Sequence, residues 1–203
     1  MAKKMTKDTF YGSGKVYSVP YTDGMIDKTT ILEKLATIMT EDNQIGYLKN
    51  GFTFTVETET LTDQSDLGEM KIDTITKEKG KCDFAIFNAS LPVIAEQYPT
   101  AKITSGESAE ATIMEVGGLA GMDDTKHVIV FHHHDTQEGD TIAISVGKNM
   151  SGFSTAWKQD SVTPFSCSFE AQPYNDEGRF YMLVKTPVSK KWADFASNAA
   201  VSS

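Results

Sequence analysis

The chain has 203 residues, 39% of them hydrophobic and 23% charged, and a formal net charge of −9 from 28 acidic against 19 basic residues, with Arg179 the only arginine. That length and composition fit one compact domain with a substantial core, and they exclude a disordered chain or a fibrous repeat. Proteins that grip nucleic acid do so with clustered Lys and Arg, and no such cluster is present here.

In chain order, residues 1–11 are polar and basic and read as an N-terminal arm; no apolar run follows them, so a secretory leader is not expected, and nowhere do about 18 apolar residues follow one another. Gly12-Ser13-Gly14-Lys15 is a turn into a strand, because its glycines are too close together for a phosphate-cradling loop. Residues 28–39 place Ile31, Leu32, Leu35, Ile38 and Met39 at helical spacing behind the possible caps Asp27 and Thr29.

From there the apolar period is two, which predicts strands. Phe52, Phe54 and Val56 alternate with Thr53, Thr55 and Glu57, and Met70 and Ile72 resume the alternation beyond a polar stretch, so these two flanks are expected to carry the buried side. The expectation is a long protruding hairpin over 57–73 with a polar, acidic tip. A second short helix is expected over 89–98, with Ser90 ahead of Pro92, packed on the strand 81–87 that precedes it. Further strands are predicted over 109–116, Val128 to Phe131, Ile142 to Val146, 164–171 and 179–185, the last two joined as a hairpin by the turn Asn175-Asp176-Glu177-Gly178. Residues 187–203, from Pro187 through Trp192 into Ala, Ser and Asn, read as a C-terminal arm. The fold class expected is mainly β, a sandwich or barrel with a flanking short α-helix, the hairpin and extended terminal arms, in one domain spanning 1–203.

Chemistry is sparse. Cys82 and Cys167 both sit on apolar parities and read as buried free thiols. His132, His133, His134 and Asp135 follow an apolar strand, but consecutive strand residues point to opposite faces, so three adjacent imidazoles do not converge on one tetrahedral metal. Neither a metal nor a cofactor is expected. No Gly-x-Ser-x-Gly occurs, and Gly117-Gly118-Leu119-Ala120-Gly121 lacks the βαβ context of a dinucleotide loop. The acidic residues Glu57, Glu59, Asp63, Asp66, Glu69 and Asp73 of the hairpin lack the pattern of a calcium loop and read as a solvated or intersubunit face. Trp157 and Trp192 form at most a weak signal for a sugar platform.

Taken in order, several segments resemble the tail tube (major tail) proteins of long-tailed, siphovirus-like bacteriophages. Ile45-Gly46-Tyr47-Leu48-Lys49-Asn50-Gly51 ahead of Phe52 to Glu57 is similar to that family's entry into its long hairpin, and Asp63-Gln64-Ser65-Asp66-Leu67-Gly68 to the return. The strand and helix after Lys81, the turn from His132 to Asp140, and Pro164 to Pro173 ahead of Asn175 to Gly178 continue the likeness over about residues 12 to 186. The resemblance implies a non-enzymatic virion protein, made in the host cytoplasm and related also to type VI secretion tubes. It would self-assemble into rings of six that stack into a hollow tube. Its partners would be copies of itself, the tape-measure protein and the tail initiator and terminator proteins, with DNA as unbound cargo and no membrane. Glu57, Glu59, Leu61, Asp63, Asp66, Leu67, Glu69 and Asp73 are the expected assembly residues. The rival expectation is a β-sandwich module that binds carbohydrate or a cell surface.

Overall fold

The computed structural model describes residues 14–64, 71–105, 111–136, 138–151 and 164–188. The arm 1–11, residues 189–203 of the arm 187–203, the tip residues Asp66, Leu67, Glu69 and Met70, and both tryptophans lie outside the described residues. The fold is mainly β. The elements are β1 (Lys15–Pro20), α1 (Ile31–Ile38), β2 (Gln44–Gln64), β3 (Lys71–Ile86), α2 (Leu91–Glu96), β4 (Ala101–Ser105), β5 (Thr112–Val116), β6 (His127–Asp135), β7 (Gly139–Asn149), β8 (Phe165–Ala171) and β9 (Tyr181–Lys185).

The strands β6-β1-β2-β3-β8-β7 follow one another as neighbours, and β7 pairs back onto β6, so the sheet closes on itself as a six-stranded antiparallel barrel. Closure gives each of these six strands a neighbour on both sides over part of its length, while β9, which pairs only with β7 among the described strands, keeps an outer edge. The expected hairpin between β8 and β9 is not formed, although its turn is: Gly178 N–H donates to the Asn175 carbonyl at 3.0 Å and Tyr174 N–H to the Arg179 carbonyl at 2.9 Å. Both strands pair antiparallel with β7 instead, Ala171 opposite Gly147 and Tyr181 opposite Ser145. They behave as one strand along a single edge of β7, interrupted by the excursion 172–180. A local turn fixes where the chain reverses, but the longer β7 edge decides what the strands bond to.

Alternation divides the buried side chains into two sets. Val16, Ile129, Cys82, Phe84, Ile86, Phe165, Cys167 and Phe169 face the barrel interior, joined by the half-buried Phe52, Phe54 and Phe131. Tyr17, Val19, Val128, Val130, Ile142, Ile144 and Val146 face outward beneath α1. That is why Val128 to Phe131 is apolar without interruption: β6 is buried on both faces, so neither parity is free to be polar. Helix α1 buries Ile31, Leu35 and Ile38 on one stripe, worth about 5–9 kcal/mol by burial. Asp27 accepts the Thr29 N–H at 2.7 Å ahead of the helix, and Asn43 Nδ2 closes its far end by donating to the Thr37 and Ile38 carbonyls.

The interior is filled by an aromatic column. Ring centroids of Phe131 and Phe52 lie 5.0 Å apart, Phe52 and Phe84 6.0 Å, and Phe84 and Phe169 5.8 Å, all near parallel. A barrel this small has room for side chains and no through-channel. Cys82 and Cys167 are buried in the same interior, and burial pushes both thiols up to about 12. Both cysteines are unpaired, as expected from their parity. Helix α2, expected to pack on the sheet, does so through Val93 and Ile94, and leads into the separate two-stranded sheet β4–β5. Strand β4 was not anticipated, because Ala101 to Ser105 offers Ile103 as its single large apolar residue.

Candidate functional site

The wall strands β2 and β3 do not stop at the barrel. Pairing of β2 with β1 ends at Tyr47, and pairing of β3 with β8 ends at Gly80, whereas β2 and β3 stay registered to each other as far as Gln64 opposite Lys71. The result is a free-standing ribbon of residues 56–64 and 71–79. It extends about 27 Å at the usual strand rise. Every described side chain of Glu57 to Asp63 and Lys71 to Lys79 is exposed.

The register shifts between Glu59 and Thr60, placing an extra residue, Thr76, in β3; its hydroxyl donates to the Glu59 carbonyl at 3.1 Å. Such a bulge bends an edge and increases its twist. Inside this frame Glu57 stands opposite Lys79 and Glu59 opposite Lys77. The Glu59 carboxylate lies 3.8 Å from Lys77 Nζ and 3.5 Å from Lys79 Nζ. Leu61 and Asp63 continue the same face toward the tip, Asp63 opposite Ile72. Asp73 lies on the other face, where the Thr62 hydroxyl at 2.6 Å and then Lys71 hold its carboxyl below the usual carboxylate range.

Of the expected assembly residues, Glu57, Glu59, Leu61, Asp63 and Asp73 therefore share this ribbon, with Asp66, Leu67 and Glu69 beyond the described residues. One expectation is corrected. Val56 and Ile72 were read as carrying the buried alternation, yet they are 48% and 54% exposed, beside Leu61 at 58% and Ile75 at 57%. The alternating pattern continues past the point where the barrel ends, so nothing among the described residues covers it. Ile75, absent from the expected set, is among the ribbon's uncovered apolar side chains.

The histidine run falls at the end of β6. His132 and His134 share a face, and both imidazoles approach the buried Asp140 carboxylate, His132 Nε2 at 3.5 Å and His134 Nδ1 closer still. His133 belongs to the opposite parity, across from Thr141. Among the described residues no group of His, Cys, Asp and Glu is arranged to hold a metal ion. Asp140, read from the sequence only as part of a turn, is the organising member: its N–H donates to the Thr186 hydroxyl at 3.0 Å and its carbonyl accepts the Thr186 N–H at 2.9 Å, tying the β6–β7 turn to the end of β9.

Burial holds His132 below its ordinary value, partly opposed by Asp140, and burial does the same to His127. A histidine whose folded value is depressed favours the fold above its unfolded value and loses that contribution as pH falls. Stability is therefore expected to decline as pH drops below about 6.5. Replacing His132 and His134 together by Asn strips partners from a buried carboxylate and is expected to cost on the order of 3 kcal/mol at neutral pH and to flatten that acid slope. His133→Asn, on the opposite face from Asp140, is expected to cost clearly less than the double replacement. Urea denaturation across pH 5–8 reads both; equal losses from the two variants would contradict the arrangement.

Elsewhere, Ser18 Oγ and His127 Nδ1 lie 3.2 Å apart and Gln97 Nε2 donates to Ser18 at 3.1 Å, which anchors the end of α2 on the barrel. Glu96 approaches the same Nδ1 at 4.0 Å. In a nucleophile, base and acid relay the acid holds the opposite ring nitrogen, and Ser18 here is buried. On the outer wall a groove of about 310 Å³ is lined by Lys49, Thr53, Asp83, Ser166 and Ser168 among others. No helix is long and apolar enough to cross a membrane among the described residues. Compared with family models and with curated protein sequences, the chain matches none of them.

Proposed function

We propose that the protein is a self-assembling structural subunit of the phage tail tube kind, forming six-membered rings that stack into a hollow tube for DNA. The observation that carries this reading is the ribbon. A segment that leaves its barrel, stays strand-paired for about 27 Å and exposes Val56, Leu61, Ile72 and Ile75 is costly in a monomer and useful in a polymer.

Two further features support it. The barrel interior is filled by phenylalanines, so a conduit is built between subunits and not through one. The net charge of −9 suits a wall that DNA passes without adhering, since basic walls would retain phosphates through counterion release. On this reading the partners are further copies, the tape-measure protein and the tail initiator and terminator proteins; the place is the virion; and no catalysis is involved. Negative-stain microscopy of the purified protein is expected to show rings or tubes. Dispersed particles of one small size at every concentration would overturn the proposal.

A second reading, a module that binds carbohydrate, has the outer-wall groove in its favour, because Thr53, Asp83, Ser166 and Ser168 offer the hydroxyl and carboxylate groups that sugars bond to. Glycan binding by a strictly monomeric protein would select it.

A further inference from the structure

The ribbon has two edges that no strand among the described residues occupies, and they are not alike. On one face, the β2 edge carries Glu57 and Glu59, and the β3 edge carries Lys77 and Lys79. From this segregation we infer that the ribbons of neighbouring copies join edge to edge, the acidic β2 edge of one against the basic β3 edge of the next. This inference rests on the assembly reading above and specifies its contact.

The physical case is one of elimination by sign. Joining β2 to β2 sets glutamates against glutamates, and joining β3 to β3 sets lysines against lysines; like charges opposed across a strand pair are destabilising. On this face only the unlike joint is complementary; on the other face β3 carries Glu78 and Asp73 opposite the threonines Thr58 and Thr62 of β2, so an unlike joint sets no like charges together there. Within one ribbon the same charges are already near one another, but Glu59, Lys77 and Lys79 are each about half exposed, and such surface pairs contribute little. They therefore retain most of their capacity to attract a neighbour. An edge made of charged residues and a bulge is also how proteins discourage pairing altogether. What argues against that here is the apolar content: Leu61 and Ile72, lying further out on the charged face, are more than half exposed, and a strand built to stay solitary gains nothing from them. With charge choosing the edge and burial of those side chains rewarding the contact, the two devices act together.

The geometry of the joint sets the form of the assembly. The contact uses a different edge on each partner, so it is heterologous: each copy keeps its other edge for the next copy, and the contact closes as a ring when the rotation between copies divides a full turn, as the six-membered reading requires. A twofold dimer is excluded, because it requires the same edge twice.

The test uses the full chain in three forms. Glu57→Lys with Glu59→Lys makes both edges basic; Lys77→Glu with Lys79→Glu makes both acidic; all four changes together exchange the edges while preserving the pairing within each ribbon. Under conditions where the parent forms rings, each double variant alone is expected to need at least about a 100-fold higher concentration to assemble, the scale of a like-charge interface. An equimolar mixture of the two is expected to recover rings, since in a ring of six the variants alternate. The fourfold variant is expected to assemble by itself and to be excluded from parental rings. Normal assembly of either double variant alone, or a mixture that stays dispersed although the fourfold variant assembles, would overturn the edge-to-edge contact while leaving ring formation by the parent intact. A fourfold variant that mixes freely with the parent would overturn it as well. A parent that never forms rings is a different result, which removes the assembly reading itself.

Discussion

A chain in which residues 58–78 are replaced by Asn-Gly is expected to melt within about 3 °C of the parent and to form no rings or tubes at any concentration. The replacement makes Glu57 and Lys79, which are already opposite one another, the closing pair of a two-residue hairpin of the kind that matches strand twist. Little is lost from the fold, because the described side chains that are removed are exposed and the β3–β8 ladder begins only at Gly80. Everything specific to the ribbon is lost.

The energetic reason for expecting so sharp a separation is the poor return on the distal ribbon in isolation. Fixing about ten backbone residues costs on the order of 10–20 kcal/mol, and complete burial of Leu61 and a second leucine at Leu67 would return roughly 3–6 kcal/mol. The surface ion pairs at Glu59 add little. Burial by a neighbour would shift that balance, so on the assembly reading the outer ribbon is expected to gain stability when copies join. Two outcomes would contradict this account. A truncated chain that still polymerised would place the assembly contact elsewhere, on the β4–β5 sheet or the outer-wall groove. One that failed to fold would show that the ribbon supports the barrel.

How much of this was legible in the sequence depended on whether a local pattern or a distant partner decided each feature. The period-two runs at Phe52 and Phe54, at Cys82 to Ile86 and at Phe165 to Phe169 are strands because their alternate residues meet the same interior. Their parity told inside from outside correctly. The continuous run at Val128 was legible as a strand by its shortness and β-branched content, though not why both parities were apolar; that required α1, separated from it by about ninety positions, to lie on the outer face.

Alternation failed where it was asked how far burial reaches. Phe54 and Val56 are in phase, yet Phe54 stacks on Tyr181 at 3.8 Å between ring centroids while Val56 is left in solvent, since the barrel ends between them. Nothing in the spacing marks that limit. The site at Asp140 was missed for a related reason. A turn at Glu138 and Gly139 implies that His134 lies opposite Asp140, and the alternation then adds His132 to the same face; the signal was present, but it becomes visible only when the hairpin register is written out. Sequence reasoning tested the three histidines against one another, when the carboxylate they approach lies across the turn.

Phe84→Ala is expected to cost about 3–5 kcal/mol and to lower the melting temperature by about 6–20 °C for a chain of this size. Phe84 is one of the two inner members of the four-ring interior column, with Phe52 on one side at 6.0 Å and Phe169 on the other at 5.8 Å. Removing its ring deprives two neighbours of their stacking partner and leaves a void between β2, β3 and β8, where the backbone ladders on both sides of β3 prevent the walls from closing in. Phe84→Leu retains most of the volume and is expected to cost less than about 1.5 kcal/mol. Leu119→Ala, at a side chain 84% exposed, is expected to stay within about 0.5 kcal/mol of the parent. Thermal melts of the three variants order them directly. Should Phe84→Ala melt within about 2 °C of the parent, the column would not be the centre of the core, and the argument that the barrel is too full to conduct anything by itself would fall with it.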